Sequence, residues 1–228
     1  MVAVFVFGML HFSGGDPAAI IAGGGTGSAT PEQIAAIRAN LGLDRPLYEQ
    51  LGFWFRDLLT GNLGHSLNSG IPVTTLINTH SHGDHVSGNV AFPTTVEIVT
   101  HETTKANMEV MRAYTGRTEP PVNVFTASNG QGLPTRTFTD QMSLGTGVDQ
   151  VDLYYFGRGH TGGDAWVAFP ALRALHAGDI FLAKRVPFLD AANGGSGVEI
   201  GDTVQRAHDT IRNIDTIITG HSNTQMTW

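Results

Sequence analysis

A cluster of histidines and one carboxylate constrains the fold of this chain most strongly. The stretch N-T-H-S-H-G-D-H, residues 78–85, places His80, His82, Asp84 and His85 in close succession. Imidazole and carboxylate groups bind zinc, and they are the ligands to expect here because the chain contains no cysteine. Four ligands this close cannot all serve one tetrahedral ion comfortably. The spacing therefore favours two adjacent metal ions.

Three further candidate ligands lie downstream of this cluster. They are His160 in G-R-G-H-T-G-G-D, Asp179 in H-A-G-D-I-F and His221 in I-T-G-H-S. Each comes just after a β-rich run and stands beside glycine, where a strand ends and the backbone turns sharply. A single histidine or aspartate in such a place is usually a surface or core residue. The ordered set, rather than any one member, predicts a metal site.

Composition excludes several classes of function. The chain has 228 residues, of which 41% are hydrophobic and 14% charged, as expected for a globular protein with a real core. The formal net charge of -7 argues against nucleic-acid binding, because no basic stripe is available to neutralise phosphates. Neither the oligomeric state nor the compartment follows from the sequence, and the cytoplasm is the default expectation.

Hydropathy predicts no complete transmembrane segment. The N-terminal run M-V-A-V-F-V-F-G-M-L is shorter than the about 20 apolar residues that span a bilayer. It also lacks the positive leader and the small-residue cleavage site of a secretory signal. A buried strand, a helix start and a membrane helix cut off at its front all remain open for this run.

The two parts of the chain differ in predicted secondary structure. Thr30 as cap, Pro31 at the first helical position and Gly42 as stop predict one helix, and residues 45–60 predict a second. A further helix is predicted over about 101–114. Short β-branched runs dominate after residue 72, at 73–78, 95–100, 151–156, 165–169 and 217–221. Strands with interspersed helices predict an α/β layered domain.

The first part resembles the N-terminal part of a dipeptide/oligopeptide ABC transporter permease. The blocks G-D-P-A-A-I-I-A-G, A-T-P-E-Q-I-A-A-I-R-A-N-L-G-L-D-R-P-L-Y-E-Q and L-L-T-G-N-L-G-H-S-L-N-S-G-I-P-V carry this resemblance over about residues 4–76. In that family the segment follows the first membrane helix and is largely extracytoplasmic. The membrane helices that form the transport path have no counterpart here, so transport is the weakest functional reading.

The second part, about residues 76–228, resembles the metallo-β-lactamase-fold hydrolases. The resemblance implies an αββα sandwich, here incomplete on its N-terminal side, with a dinuclear zinc site. Iron or manganese remain alternatives to zinc. An aspartate at the bridging position is similar to the glyoxalase II and lactonase branches, and differs from true β-lactamases. The implied ligands are His80, His82 and His160 for the first ion, Asp84, His85 and His221 for the second, and Asp179 bridging both.

The resemblance implies a small-molecule substrate, in which a hydroxide that bridges the two ions hydrolyses an ester, thioester, lactone or amide. Asp84 is the implied catalytic residue, accepting or relaying a proton. One alternative is a catalytically impaired metal-binding fusion, because each resemblance is truncated near residues 75–78. The other is a permease fragment. The predicted domains are residues 1–76 and 77–228.

Overall fold

The structure, a computed structural model, consists of two compact units, Met1–Val73 and Thr74–Trp228. It describes residues 18, 31–40, 42–60, 73–181, 185–221 and 226–228. The predicted cap Thr30 and the N-terminal apolar run lie outside the described residues. The predicted domain boundary after residue 76 stays a prediction.

Two helices make up most of what is described of the first unit, α1 (Pro31–Asn40) and α2 (Leu47–Thr60). Both lie where the sequence predicts helices. After α1, Gly42 adopts a φ of 64°, the left-handed conformation in which glycine commonly ends a helix. Among the described helices, none is both long and apolar enough to cross a membrane.

The second unit contains two sheets. The first sheet is parallel, with the order β1 (Thr75–Ile77), β2 (Glu97–His101), β3 (Arg136–Phe138). The second has five strands in chain order, β4 (Gln141–Leu144), β5 (Val151–Tyr154), β6 (Trp166–Phe169), β7 (Ala174–His176) and β8 (Thr216–Ile218). Its strands pair antiparallel except for β7 and β8, which are parallel.

Helices cover the outer faces of the two sheets. The α-helices described in the second unit are α3 (Gly83–Val86), α4 (Glu102–Val110), α5 (Val124–Ala127) and α6 (Ile200–Thr210). Helix α4 packs on β2 and β3, and α3 and α5 join it around a buried apolar cluster. Helix α6 contributes to the cluster on the far side of the second sheet. The predicted αββα arrangement is confirmed.

Alternation along the strands builds the core between the sheets. Neighbours on a strand point to opposite faces, so Val167 of β6 faces the first sheet while Trp166 packs on the α6 side. The cluster between the sheets consists of Val99, Phe138, Leu153, Ala165 and Val167. Both sheets are therefore held together by side chains from β2, β3, β5 and β6.

Truncation of Leu153 tests the importance of this inter-sheet core. Leu153 is 0% exposed, so Leu153→Ala leaves a cavity and is expected to lower the free energy of unfolding by about 2–5 kcal/mol. Urea denaturation measures the change. Leu172→Ala is the control, because Leu172 is 73% exposed and its truncation should change stability by less than about 0.5 kcal/mol. Equal effects of the two variants would contradict this account of the core.

Local structure departs from the sequence prediction at the end of α4 and in five elements that were not predicted, α3, α5, α6, β3 and β4. Helix α4 ends at Val110 rather than near 114, because Met111 takes a left-handed φ of 49° and closes the helix. The helix begins after His101, whose ring accepts a hydrogen bond from Thr103 N–H, in agreement with its predicted place at a helix start. The short strands β3 and β4 were not predicted, since neither carries a β-branched run.

Candidate metal centre

Strand ends bring the candidate ligands together. Strands β7 and β8 lie side by side in parallel, with His176 opposite Ile218. Asp179 follows the end of β7 and His221 follows the end of β8 at the same separation, so both emerge at one edge of the sheet. A backbone hydrogen bond of 2.8 Å from Gly220 N–H to Gly178 O ties the two turns together.

The first group of candidate ligands is buried. One ligand atom from each member lies within 4.8 Å of the corresponding atoms of the others. His82 Nδ1 is 3.2 Å from His160 Nε2, and the rings of His80 and His82 meet edge-on at 4.8 Å. The group consists of His80, His82, His160 and Asp179. It joins three of the sequence segments singled out above.

The second group lies on the open side of the centre. His221 Nε2 is 3.1 Å from Asp84 Oδ2 and 3.2 Å from His85 Nε2. The side chains of Asp84 and His221 are 54% and 50% exposed, whereas that of His85 is 16% exposed. These three residues form a second set of ligand atoms within 4.8 Å of one another.

Asp179 Oδ2 lies between the two groups. It is 3.1 Å from His221 Nε2 and 3.6 Å from His85 Nε2. It is also 3.8 Å from both His80 Nε2 and His160 Nε2. The structure thus gathers the other six predicted site residues around the carboxylate of Asp179. Their individual roles as metal ligands stay predictions.

The donor atoms fit a divalent metal ion. His80 Nε2 and Asp179 Oδ1 are buried without a hydrogen-bond partner among the described residues. A buried polar atom left unpaired is costly, and coordination of an ion is one way to satisfy it. Nitrogen and carboxylate oxygen donors with no sulfur suit zinc, and also suit iron or manganese.

Hydrogen bonds behind the imidazoles orient the first group. His160 Nδ1–H donates to Phe188 O at 2.5 Å, which leaves Nε2 as the free acceptor. His82 Nε2–H donates to Asp190 Oδ2 at 2.9 Å, which leaves Nδ1 free. Bonding of the far ring nitrogen in this way fixes the tautomer of a metal-binding histidine. The free nitrogens of both rings face each other across the centre.

Sequence reasoning missed two buried carboxylates near the centre. Asp164 accepts hydrogen bonds from the N–H and hydroxyl of Thr161, at 2.8 and 2.6 Å, and closes the turn after His160. Asp190 lies behind His82. Asp164 stands within the quoted motif G-R-G-H-T-G-G-D, so the motif itself was a usable signal, whereas no local pattern marks Asp190.

The remaining described histidines lie apart from the two groups. His101 stacks on Tyr155 at 3.9 Å and caps α4. His176 lies in β7, where its Nδ1 accepts from Gly178 N–H at 3.0 Å. His208 is exposed on α6. His11 and His65 fall outside the described residues.

The electrostatics of the centre oppose protonation of its buried part. Burial, followed by the neighbouring imidazoles of His160 and His85, holds the pKa of His80 well below its ordinary value of 6.5. Burial alone would raise the pKa of Asp179, but the neighbouring imidazoles, that of His85 first, lower it on balance. Burial alone would lower the pKa of His85, but Asp179 raises it on balance. Neutral imidazoles and ionised carboxylates are the forms that bind metals.

Acid is expected to destabilise the metal-free protein. In the unfolded chain these imidazoles regain an ordinary pKa near 6.5, so below that pH the unfolded chain binds more protons and stability falls. The lowered pKa of Asp179 acts in the same direction at lower pH, whereas the raised pKa of His85 gives a contribution that is lost as pH rises. Burial is the largest cause lowering the pKa of four histidines, His80, His82, His101 and His176.

The lowered pKa of four histidines reduces stability as the pH falls, and only the raised pKa of His85 opposes this. We therefore expect the urea midpoint of chelator-treated protein to decrease as the pH is lowered from about 7 to about 5.5. Urea titrations at a series of pH values measure it. A midpoint that is constant or rises on acidification over this window would contradict the burial of neutral imidazoles.

Comparison with known proteins separates the two parts of the chain. The N-terminal part of binding-protein-dependent transport system membrane components matches residues 1–99. A probable peptide ABC transporter permease of Sinorhizobium fredii is 45% identical over 78 residues, which is 34% of this chain and 24% of that protein. A putative peptide transport system permease of Brucella abortus is 42% identical over 77 residues. The chain spans about a quarter of the length of these permeases.

The second part matches a different group. The metallo-beta-lactamase superfamily profile covers residues 56–221, which is more than half of the chain. A metallo-beta-lactamase from Pontibacter korlensis shares the fold with 23% identity and a TM-score of 0.50, over 68% of this chain and 64% of that one. The DIM-1 metallo-beta-lactamase superposes over 77% of this chain with 16% identity and a TM-score of 0.50. The two-sheet architecture and the family profile agree, and the chain belongs to the metallo-β-lactamase superfamily.

Proposed function

We propose that this chain is a hydrolase with a dinuclear zinc centre that cleaves an ester, thioester, lactone or amide bond of a small molecule. The observation that carries the proposal is the position of Asp179 Oδ2 within 3.8 Å of ligand nitrogens from both groups. A carboxylate in this position suits a bridge between two ions. The first ion would be held by His80, His82 and His160, and the second by Asp84, His85 and His221.

Bound divalent ions would supply a nucleophilic water at neutral pH and polarise the substrate carbonyl. The chain's own residues set the conditions for that chemistry. The buried first group excludes bulk water from one side of the centre. The exposed second group leaves the other side open to a substrate. A substrate carbonyl would therefore approach from the side of Asp84 and His221.

Asp84 is the proposed catalytic proton acceptor. Its carboxylate is half exposed at the open side and lies 3.1 Å from His221 Nε2 and 3.5 Å from His85 Nε2. A carboxylate at the edge of such a site can receive a proton from water and release it to solvent. None of the three aspartates behind or within the buried group, Asp164, Asp179 and Asp190, has this access.

A panel of substrates tests the proposed function. Zinc-loaded protein is offered a generic ester, thioester, lactone and β-lactam, and turnover is compared in wild type, His82→Ala and His208→Ala. We expect hydrolysis of at least one substrate and its loss in His82→Ala. His208→Ala should retain it, because His208 is exposed on α6 and contacts Asp209 and Trp228, which are not candidate ligands. Equal turnover in all three proteins would contradict the assignment.

A metal-binding protein without turnover is the second candidate. It is favoured by the first sheet, which has three strands, against five in the second, within the described residues. Zinc binding with no hydrolysis of the panel would support this candidate over the enzyme.

We also propose that the chain is a fusion of a permease-like segment, residues 1–76, with a metallo-β-lactamase-like domain, residues 77–228. The two family matches, 1–99 and 56–221, overlap around this junction. A membrane-transport fragment is the weakest of the functional alternatives. Sequencing an amplicon across codons 60–95 from source DNA tests the junction, and failure to amplify one continuous product would point to an assembly artefact.

A further inference from the structure

A buried carboxylate outside the proposed ligand set holds His82 from behind. Asp190 is 0% exposed and accepts four hydrogen bonds. Its Oδ2 receives His82 Nε2–H at 2.9 Å and the amide of Asn193 at 2.6 Å. Its Oδ1 receives the N–H and the hydroxyl of Thr115, at 2.8 and 2.9 Å. The carboxylate is fully paired and has a single orientation.

The backbone around Asp190 is tied to a second candidate ligand. Asp190 N–H donates to His160 O at 2.8 Å, and Asp190 O accepts from Gly195 N–H at 2.8 Å. Ala192 N–H donates to the hydroxyl of Thr115 at 2.9 Å. Asp190 therefore connects the segment of His82, the segment of His160 and the loop that carries Thr115.

The residue before Thr115 contacts the same imidazole. The ring of Tyr114 lies 4.5 Å from the ring of His82, and its hydroxyl accepts a hydrogen bond of 2.9 Å from Gly83 N–H. Tyr114 thus supports the face of the His82 ring, while Thr115 acts on its Nε2 edge through Asp190. One dipeptide restrains both the tilt and the rotation of this side chain.

A neutral imidazole carries one N–H, so donation of Nε2–H to Asp190 determines which nitrogen can bind a metal. The remaining acceptor, Nδ1, lies 3.2 Å from His160 Nε2 and faces the buried group. Loss of Asp190 would free the ring to rotate and to exchange tautomers. It would also leave the N–H of Thr115 and the amide of Asn193 without their acceptor.

We propose that Asp190, supported by Tyr114 and Thr115, is a positioning residue that fixes His82 in the Nε2–H tautomer and presents Nδ1 to the first metal ion. This inference rests on the proposed function for the identity of the ligand, but its structural part concerns the metal-free chain. Outer-shell partners of this kind typically contribute about 10–100-fold to metal affinity or activity.

The test combines the tautomer of His82 in metal-free protein, read from nitrogen-15 NMR at mildly alkaline pH, with zinc affinity measured by competition against a chromophoric chelator. In wild type we expect the Nε2–H tautomer. In Asp190→Ala we expect mixed tautomers and a loss of about 10–100-fold in the affinity for one zinc ion. Asp190→Asn keeps the volume and one acceptor oxygen, so it should lose less zinc affinity than Asp190→Ala. It replaces the alanine variant in this test if that variant does not fold.

A further variant separates positioning from general stability. Thr104→Val removes a buried hydroxyl bonded to Gly163 O at 2.7 Å, so it should lower the melting temperature without changing the tautomer of His82. An Nδ1–H tautomer in wild type, or the same zinc affinity in Asp190→Ala and Thr104→Val, would overturn the inference. Absence of zinc binding in wild type would overturn the proposed function, and the metal-free tautomer would still decide the role of Asp190.

Discussion

Replacement of Asp179 by alanine is expected to weaken binding of both ions of the proposed dinuclear centre, by more than the about 10–100-fold that loss of an outer-shell partner costs. The reason is the position of the Asp179 carboxylate between the two ligand groups. Asp179 Oδ2 lies 3.1 Å from His221 Nε2 and 3.8 Å from His80 Nε2, so one truncation removes a donor from both groups. It also removes the negative charge that lies among clustered imidazoles. Elemental analysis after dialysis measures the metal content, and hydrolysis should be lost with the metal.

Two controls define the Asp179 result. Asp179→Asn keeps the shape but loses the charge, so it should retain part of the metal. Asp149→Ala removes an exposed carboxylate that belongs to neither ligand group and should keep wild-type metal content. If Asp179→Ala and Asp149→Ala bind zinc equally well, Asp179 does not bridge the centre.

Gly220→Ala is expected to disrupt the centre without removing any ligand. A Cβ atom at position 220 would overlap Asp179 Oδ1 and lie 3.0 Å from His85 Cε1. Either the carboxylate or the turn must move, and metal-site geometry tolerates displacements of only about 0.5 Å. We expect loss of at least the ion held by His85 and His221, seen as reduced metal content and reduced hydrolysis.

A second glycine provides the matched control for Gly220. Gly201 lies in α6, and an added Cβ there meets no atom within 4 Å. Gly201→Ala should keep the full metal content and gain about 0.5–1 kcal/mol in stability, since alanine favours the helix. Wild-type metal content in Gly220→Ala would show that the turn accommodates the methyl group and that the carboxylate is not held there.

The candidate ligands were predictable because each belongs to a local pattern. His80, Asp179 and His221 all follow β runs, and parallel or neighbouring strands bring their ends to one place. Glycines at 178 and 220 mark the turns where the backbone approaches closely. Local patterns of this kind can be recognised in the sequence without knowing the fold.

Asp190 was not predictable for the opposite reason. Its proposed role depends on contacts with His82 and Thr115, which are distant in sequence. Asp190 also lies outside the helices and strands, so no helical or strand periodicity marks it. The early end of α4 was missed for a related reason. Met111 takes a left-handed conformation that normally requires glycine or asparagine, so the sequence carries no stop signal there. At Gly42, where that signal exists, the helix end was predicted.

The number of zinc ions bound per chain tests the central claim of a dinuclear centre most directly. Metal-free full-length protein is loaded with excess zinc, dialysed against metal-free buffer and measured by elemental analysis against protein concentration. The arrangement of two ligand groups around Asp179 predicts about two ions per chain. A value near zero or near one in correctly folded wild-type protein would contradict it.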